Sequence, residues 1–170
     1  MKVLALGIAA VVTVACGYHV SGHADLMPAE IKVIAVPSFG NATTRYTLTQ
    51  RLPQAITREL INRTRYTVVA DPEEADAVLE GTVVNYFSYP TVFDPGSGRA
   101  SGVQLILVLD IRLRDRLKGT ILFERPAMQV QNRYEISADQ QAYFEESDAA
   151  LERTSRDVAR SVVSAILENF

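Results

Sequence analysis

Arg112, Arg114 and Arg116, followed by Lys118, stand at alternate positions of the run QLILVLDIRLRDRLK. In an extended chain alternate residues share a face and lie about 6.8 Å apart. Guanidinium groups at that spacing suit phosphates or sugar carboxylates, which they can bind in bidentate fashion. Arg99, Arg125 and Arg133 would extend such a patch. The competing reading is a solvated strand face on which Glu124 and nearby Asp110 neutralise Arg112. Polyanion contact is one use of the row, and a solvated face is the other.

Other chemistries find less support. The two histidines, His19 and His23, both fall in the polar stretch YHVSGHADLMPAE. Their spacing of four would suit a metal on a helix, but Gly22 opposes a helix there and no third ligand is evident. They read as solvated, so no metal site is expected. Ser-His-Asp catalysis needs a histidine held in a rigid site, which a tether does not supply. No glycine-rich phosphate loop, HExxH or EF-hand pattern occurs. The acid cluster in Asp71-Pro72-Glu73-Glu74 has the layout of a helix start, with Asp as cap and Pro in the first turn. Negative charge is favourable there without any catalysis. No enzyme activity and no cofactor are expected.

The chain has 170 residues, 48% of them hydrophobic and 22% charged, with a formal net charge of −3. Its length suits one domain, and its charge provides no field for nucleic acid. A single cysteine excludes an internal disulfide and a cysteine metal cluster.

That cysteine, Cys16, ends the apolar run LALGIAAVVTVAC, which follows a start charged by Lys2. Val3–Ala15 falls short of the ~20 apolar residues of a membrane span and has the layout of a signal peptide. The alternative is a buried first element of the domain. Thr13-Val14-Ala15-Cys16-Gly17 resembles a bacterial lipobox, with Thr13 where Leu is usual. In that motif the cysteine is diacylated, becomes the N-terminus and gains a third chain. Two acyl chains already suffice for stable anchoring at about 0.8 kcal/mol per buried methylene. Gly17 stands where Asp would hold a lipoprotein at the inner membrane, which permits an outer-membrane address. Removing residues 1–15 leaves 16 basic against 20 acidic residues, a net charge of −4. The lipid, rather than charge, must then hold the protein at an anionic surface. The expected organisation is a signal peptide over 1–15, a lipidated tether over 16–30 and one domain over 31–170.

Within that domain, Ile31–Pro37 reads as a strand, Ser38–Thr47 as a loop, and Leu48–Ile61 as a helix. Its apolar face is Leu48, Leu52, Ala55, Ile56, Leu60 and Ile61, and Pro53 is tolerable only near the first turn or at a kink. Strands follow at Tyr66–Val69 and Val78–Phe87. Ser88–Ser101, with two prolines and two glycines, reads as a 14-residue loop. Loops of that length are usually functional or mobile. Tyr89, Pro90, Phe93, Asp94, Pro95 and Gly96 are therefore candidate partner contacts. Val103, Leu105, Leu107, Leu109, Ile111 and Leu113 demand a long strand with one face covered by helix. A turn at Leu117–Gly119 would set Leu113 opposite Phe123 and Arg112 opposite Glu124. The next strand changes phase across Pro126, where a bulge is expected. A last helix, capped by Ser147 or Asp148, carries the stripe Leu151, Val158, Ala159, Val162, Val163, Ile166 and Phe170. The expected fold is α+β: two helices packed on one face of a mixed, mostly antiparallel four- to five-stranded sheet.

CGYHVSG, IKVIAVPSFGN, the helix containing LTQRL and ITRELINRTRY, and VVADPEEADAVLEGTVVNY together resemble the LPS-assembly lipoprotein family LptE. The resemblance covers essentially the whole chain after Cys16. It implies a non-enzymatic outer-membrane lipoprotein at the periplasmic face, with no cofactor beyond the acyl chains on Cys16. Such a protein plugs the lumen of the β-barrel partner LptD, aids its assembly and contacts lipopolysaccharide on its way to the outer leaflet. Arg112, Arg114, Arg116, Lys118 and Arg99 then become candidate lipopolysaccharide contacts. AVPSFGN, a helix and ADAVLEG also resemble the first domain of curli-type secretion-channel lipoproteins, although this chain has no obvious spare segment for pore strands. A third alternative, a lipid-anchored periplasmic hydrolase, lacks a catalytic set.

Overall fold

A computed structural model of the chain describes residues 27–96, 98–135 and 140–170, with side chains at all of these except 140–148. Cys16 and both histidines lie outside the described residues. The elements are β1 (Val33–Ala35), β2 (Gly40–Asn41), α1 (Leu48–Arg63), β3 (Thr67–Val69), β4 (Ala77–Phe93), β5 (Ala100–Asp115), β6 (Ile121–Glu135) and α2 (Gln140–Glu168). The sheet order is β3-β1-β4-β5-β6, with β2 added to β4. The short strands β1, β2 and β3 pair in parallel, whereas β4, β5 and β6 form a long antiparallel meander. This is the α+β arrangement of two helices and a mixed sheet, with one more strand than expected because β2 is only 2 residues long.

The alternation of β5 explains the layers. Leu105, Leu107, Leu109, Ile111 and Leu113 are each at most 1% exposed. They form one core with Leu52, Ile56 and Leu60 of α1 and Val158, Val162 and Ile166 of α2. Even-numbered residues of β5 point to the face without helices. There, Ala35, Ala75 and Val78 make a small second cluster.

Helix α1 accommodates Pro53 through a specific substitution. Proline cannot donate to the carbonyl four residues back, here that of Thr49. The backbone N–H of Phe39 donates to that carbonyl instead, at 3.0 Å. Thr64 ends the helix, its N–H donating to the Leu60 carbonyl at 2.9 Å. Ile61, expected on the core face, is 55% exposed, one step round the helix from buried Leu60. Between β3 and β4, Asp71 caps a single 3-10 turn, accepting the Glu73 N–H at 2.9 Å as expected.

Leu113 does stand opposite Phe123 and Arg112 opposite Glu124. The bulge also lies where Pro126 requires it: Ile111 pairs with Arg125 but Leu109 with Met128. Ala127, in the bulge, has φ 50.

Four expectations need correction. The 14-residue loop over 88–101 does not exist as such, because β4 continues to Phe93 and β5 begins at Ala100. Tyr, Thr, Val and Phe over this stretch favour a pleated strand. Pro90 is tolerated beside a register shift, on a strand whose outer edge needs no N–H there. Secondly, α2 begins at Gln140, so Ser147 and Asp148 occupy helix interior rather than its cap. Thirdly, Ile61 is not part of the core. Fourthly, the fold reaches back past Ile31, since Met27 is only 5% exposed within the core.

Candidate functional site

Helices cover one face of the sheet and leave the other face of the β4–β6 meander open. The basic row lies at the end of β5. Arg112 donates from Nε and Nη2 to Glu124 Oε1 at 3.0 and 2.5 Å. Arg114 donates to Glu80 Oε1 at 2.9 Å. Arg112 and Glu124 stand directly opposite each other on β5 and β6, whereas Glu80 on β4 stands opposite Arg112 and is reached diagonally by Arg114, two residues along. Glu124 beside Arg112 raises the guanidinium pKa further above its already high value. A shallow cleft of about 260 Å³ adjoins this lattice, lined by Glu80, Thr82, Asp110, Arg112, Glu124 and Pro126.

Past the strand, the row bends away. Arg116 donates to the Ala75 carbonyl at 2.6 Å and approaches Glu73 at 3.7 Å. Lys118, in the β5–β6 turn, meets Glu30 at 2.5 Å and Asp115 at 3.8 Å. The Glu30 carboxylate raises the Lys118 pKa and is itself lowered by it. Each of these four cations therefore already faces a carboxylate. Arg99, the remaining candidate contact, stands elsewhere. It precedes β5 at the opposite end, about 40 Å along the strand. An incoming anion would have to displace Glu124 and Glu80, whose pairs with Arg112 and Arg114 are partly exposed.

The far half of the same face is different. Phe87, Tyr89, Val92 and Phe93 are 45–58% exposed. Phe87 stands beside Ile106, and Val92 lies over Gly102. Beyond Val83 the outer edge of β4 pairs with no strand among the described residues. Of the expected partner contacts, Tyr89, Pro90 and Phe93 are strand residues, whereas Asp94, Pro95 and Gly96 form the turn. Asp94 shapes that turn, accepting the Gly96 N–H at 3.1 Å.

Among the described residues, no group of His, Cys, Asp and Glu is arranged to hold a metal ion. None of the described helices is long and apolar enough to cross a membrane. No described buried side-chain polar atom lacks a partner. The described surface thus combines an ion-paired lattice at one end of a sheet face with an apolar hairpin at the other.

The family model of LptE, lipopolysaccharide-assembly, matches residues 31–166. The chain belongs to the LptE family. Solved structures share the family fold. Rare lipoprotein B from Shewanella oneidensis is 12% identical with a TM-score of 0.51, over 78% of this chain and 93% of that one. A minor lipoprotein from Acinetobacter baumannii is 14% identical with a TM-score of 0.53, over 82% and 92%. At these identities the likeness concerns the fold alone. No curated protein matches the sequence.

Sequence reasoning missed two residues that hold this LptE-family fold in place. Asp76 accepts the N–H groups of Lys32 and Val33 through Oδ2, both at 2.9 Å, which ties β1 to β4. Its pKa is lowered, chiefly by those two donors. Gly81 lies under the Phe39 ring, where a Cβ would come within 2.3 Å of the ring. Neither residue has a periodic signature.

Proposed function

We propose that this protein is an outer-membrane lipoprotein, anchored by acyl chains on Cys16, that seats in the lumen of an LptD-like β-barrel. There it aids assembly of the barrel and contacts lipopolysaccharide during transport to the outer leaflet. The observation that carries this reading is the LptE family match over residues 31–166. The surface supports it. The polar lattice of Arg112–Glu124 and Arg114–Glu80 suits the polar interior of a large barrel. The exposed hairpin residues Phe87, Tyr89 and Phe93 offer the aromatic anchors that protein interfaces favour. Lipopolysaccharide phosphates would exchange with Glu124 and Glu80 as partners of Arg112 and Arg114. The role of the protein is binding and support, with no catalytic step.

Depletion of the protein in its native cell tests this reading. The expected result is loss of folded barrel and of newly made lipopolysaccharide at the cell surface. Normal barrel levels and normal surface lipopolysaccharide after depletion would contradict it. Cys16→Ala is expected to move the protein out of the membrane fraction when the barrel is absent. Retention of that variant in the membrane without the barrel would contradict the anchor.

A further inference from the structure

Strand β2 stops long before its neighbour does. Gly40 and Asn41 lie beside Thr82 and Val83 of β4, and the Ala42 N–H donates to the Val83 carbonyl at 2.8 Å. The chain then turns away. Asn41 Oδ1 accepts the Thr43 N–H at 2.8 Å, and Asn41 Nδ2 donates to the Arg45 carbonyl at 3.0 Å. Because β4 runs on to Phe93, the lane that β2 begins holds no other strand among the described residues.

Three observations fix which way the backbone of this edge points. The Val83 carbonyl faces outward, to β2. A register shift between Val83 and Asn85 then reverses the alternation, and the Tyr86 N–H donates to Asn85 Oδ1 at 2.9 Å. Pro90, which has no N–H to give a ladder, stands four residues beyond Tyr86 and so on the same side. Ser88, between them, therefore turns its N–H and carbonyl outward, and Pro90 its carbonyl.

A row of outward backbone groups selects an extended chain as its partner. Ser88 and Pro90 offer two carbonyls for one N–H, so that chain must supply N–H donors. A second copy is a poor fit, since it would bring its own Pro90 into the ladder. Phe87 and Tyr89, 47% and 46% exposed, stand at alternate positions where they can grip alternate side chains of an added strand. Beside the lane, Arg45 is exposed, rests 5.1 Å from the Tyr86 ring centre and pairs with no described carboxylate. Its charge favours an acidic side chain on the incoming strand.

We propose that an extended, proline-free segment of the barrel partner, with an acidic side chain towards Arg45, adds to the outer edge of β4 beside Tyr86–Pro90. This inference rests on the barrel partnership proposed above and names the part of the barrel involved. Strands inside a closed barrel have no edge to offer, so the segment is a loop or a terminal stretch.

Hydrogen exchange on the native complex, captured through the full-length acylated protein and resolved to single amides, reads the edge directly. The Ser88 amide is expected to exchange at least about ten-fold more slowly in the complex than in the purified protein. Ser88→Pro removes the outward donor and leaves the β4–β5 ladder its bonds. It is expected to cut barrel capture about ten-fold with an unchanged melting temperature, whereas Ser88→Ala, which keeps the N–H, captures as the parent does. Should Ser88→Pro unfold the domain, the exchange measurement alone decides. Barrel capture with Ser88 exchanging as in the free protein would overturn the inference and leave the barrel reading intact, and so would full capture by folded Ser88→Pro. Protection that rises with the concentration of the purified protein would assign the edge to a second copy and also overturn it. Capture of no barrel by the parent protein would contradict the proposed function, and this inference with it.

Discussion

Asp110 Oδ1 accepts the backbone N–H of Ala127 at 2.8 Å, across the β5–β6 pair and within the bulge. This bond occupies a donor that the register shift removes from the ladder. Ala127 has φ 50, a left-handed conformation that costs an L-residue about 1–2 kcal/mol. Ala127→Gly is expected to raise stability by roughly 0.5–1 kcal/mol, part of the relief being offset by unfolded-state entropy. Asp110→Ala is expected to lower it by about 1 kcal/mol. Urea denaturation of both variants measures the two opposite shifts, and shifts of the same sign would contradict this account of the bulge.

Asp76 links pH to stability. Its two backbone donors lower its pKa from the ordinary 3.8. The folded pKa lies below the unfolded one, so the carboxylate stabilises the fold above the unfolded value. That contribution is lost as pH falls through the folded value. Asp76→Ala is expected to cost about 1–2 kcal/mol at neutral pH and progressively less under acid. Thermal melts at pH 7 and below pH ~3 read the difference between the variant and the parent protein. A penalty equal at both pH values would contradict the role.

Gly81 leaves room for the Phe39 ring, so Gly81→Ala forces a buried aromatic and a strand apart. The expected cost is about 1–3 kcal/mol. Chemical denaturation measures it. A neutral result would mean that Phe39 has another place to pack.

The paired cations make a two-sided prediction. Glu80→Gln with Glu124→Gln frees Arg112 and Arg114, and is expected to tighten lipopolysaccharide binding and steepen its salt dependence. Arg112→Glu with Arg114→Glu is expected to weaken binding. Because these pairs are partly exposed and screened by solvent, either change should leave stability nearly unchanged. Direct binding of purified lipopolysaccharide at two salt concentrations decides the matter. Unchanged affinity in both double variants would assign the row to strand solvation and ion pairing alone.

Much of the fold was legible because periodicity records burial. The odd positions of β5 and the stripe of α2 report the two sides of one core, and Pro126 announces the bulge. The stretch over 88–101 was misread because Pro90, Pro95 and glycines signal a turn, while the edge position that excuses Pro90 is visible only in the sheet. The start of α2 was misplaced for a similar reason: Ser147 and Asp148 have cap chemistry, but a helix can carry such residues in its interior. At the candidate site, the run of alternating cations was readable, and so was the Arg112–Glu124 pair. The Glu80 and Glu30 partners were not, since each comes from a distant segment that the fold brings alongside.

The composition and mass of the native complex, extracted in mild detergent and captured through this protein, test the central claim most directly. The account predicts one acylated copy, beginning at Cys16, bound to one large outer-membrane β-barrel. A homo-oligomeric ring, or a monomer that retains residues 1–15 and an unmodified thiol, would contradict it.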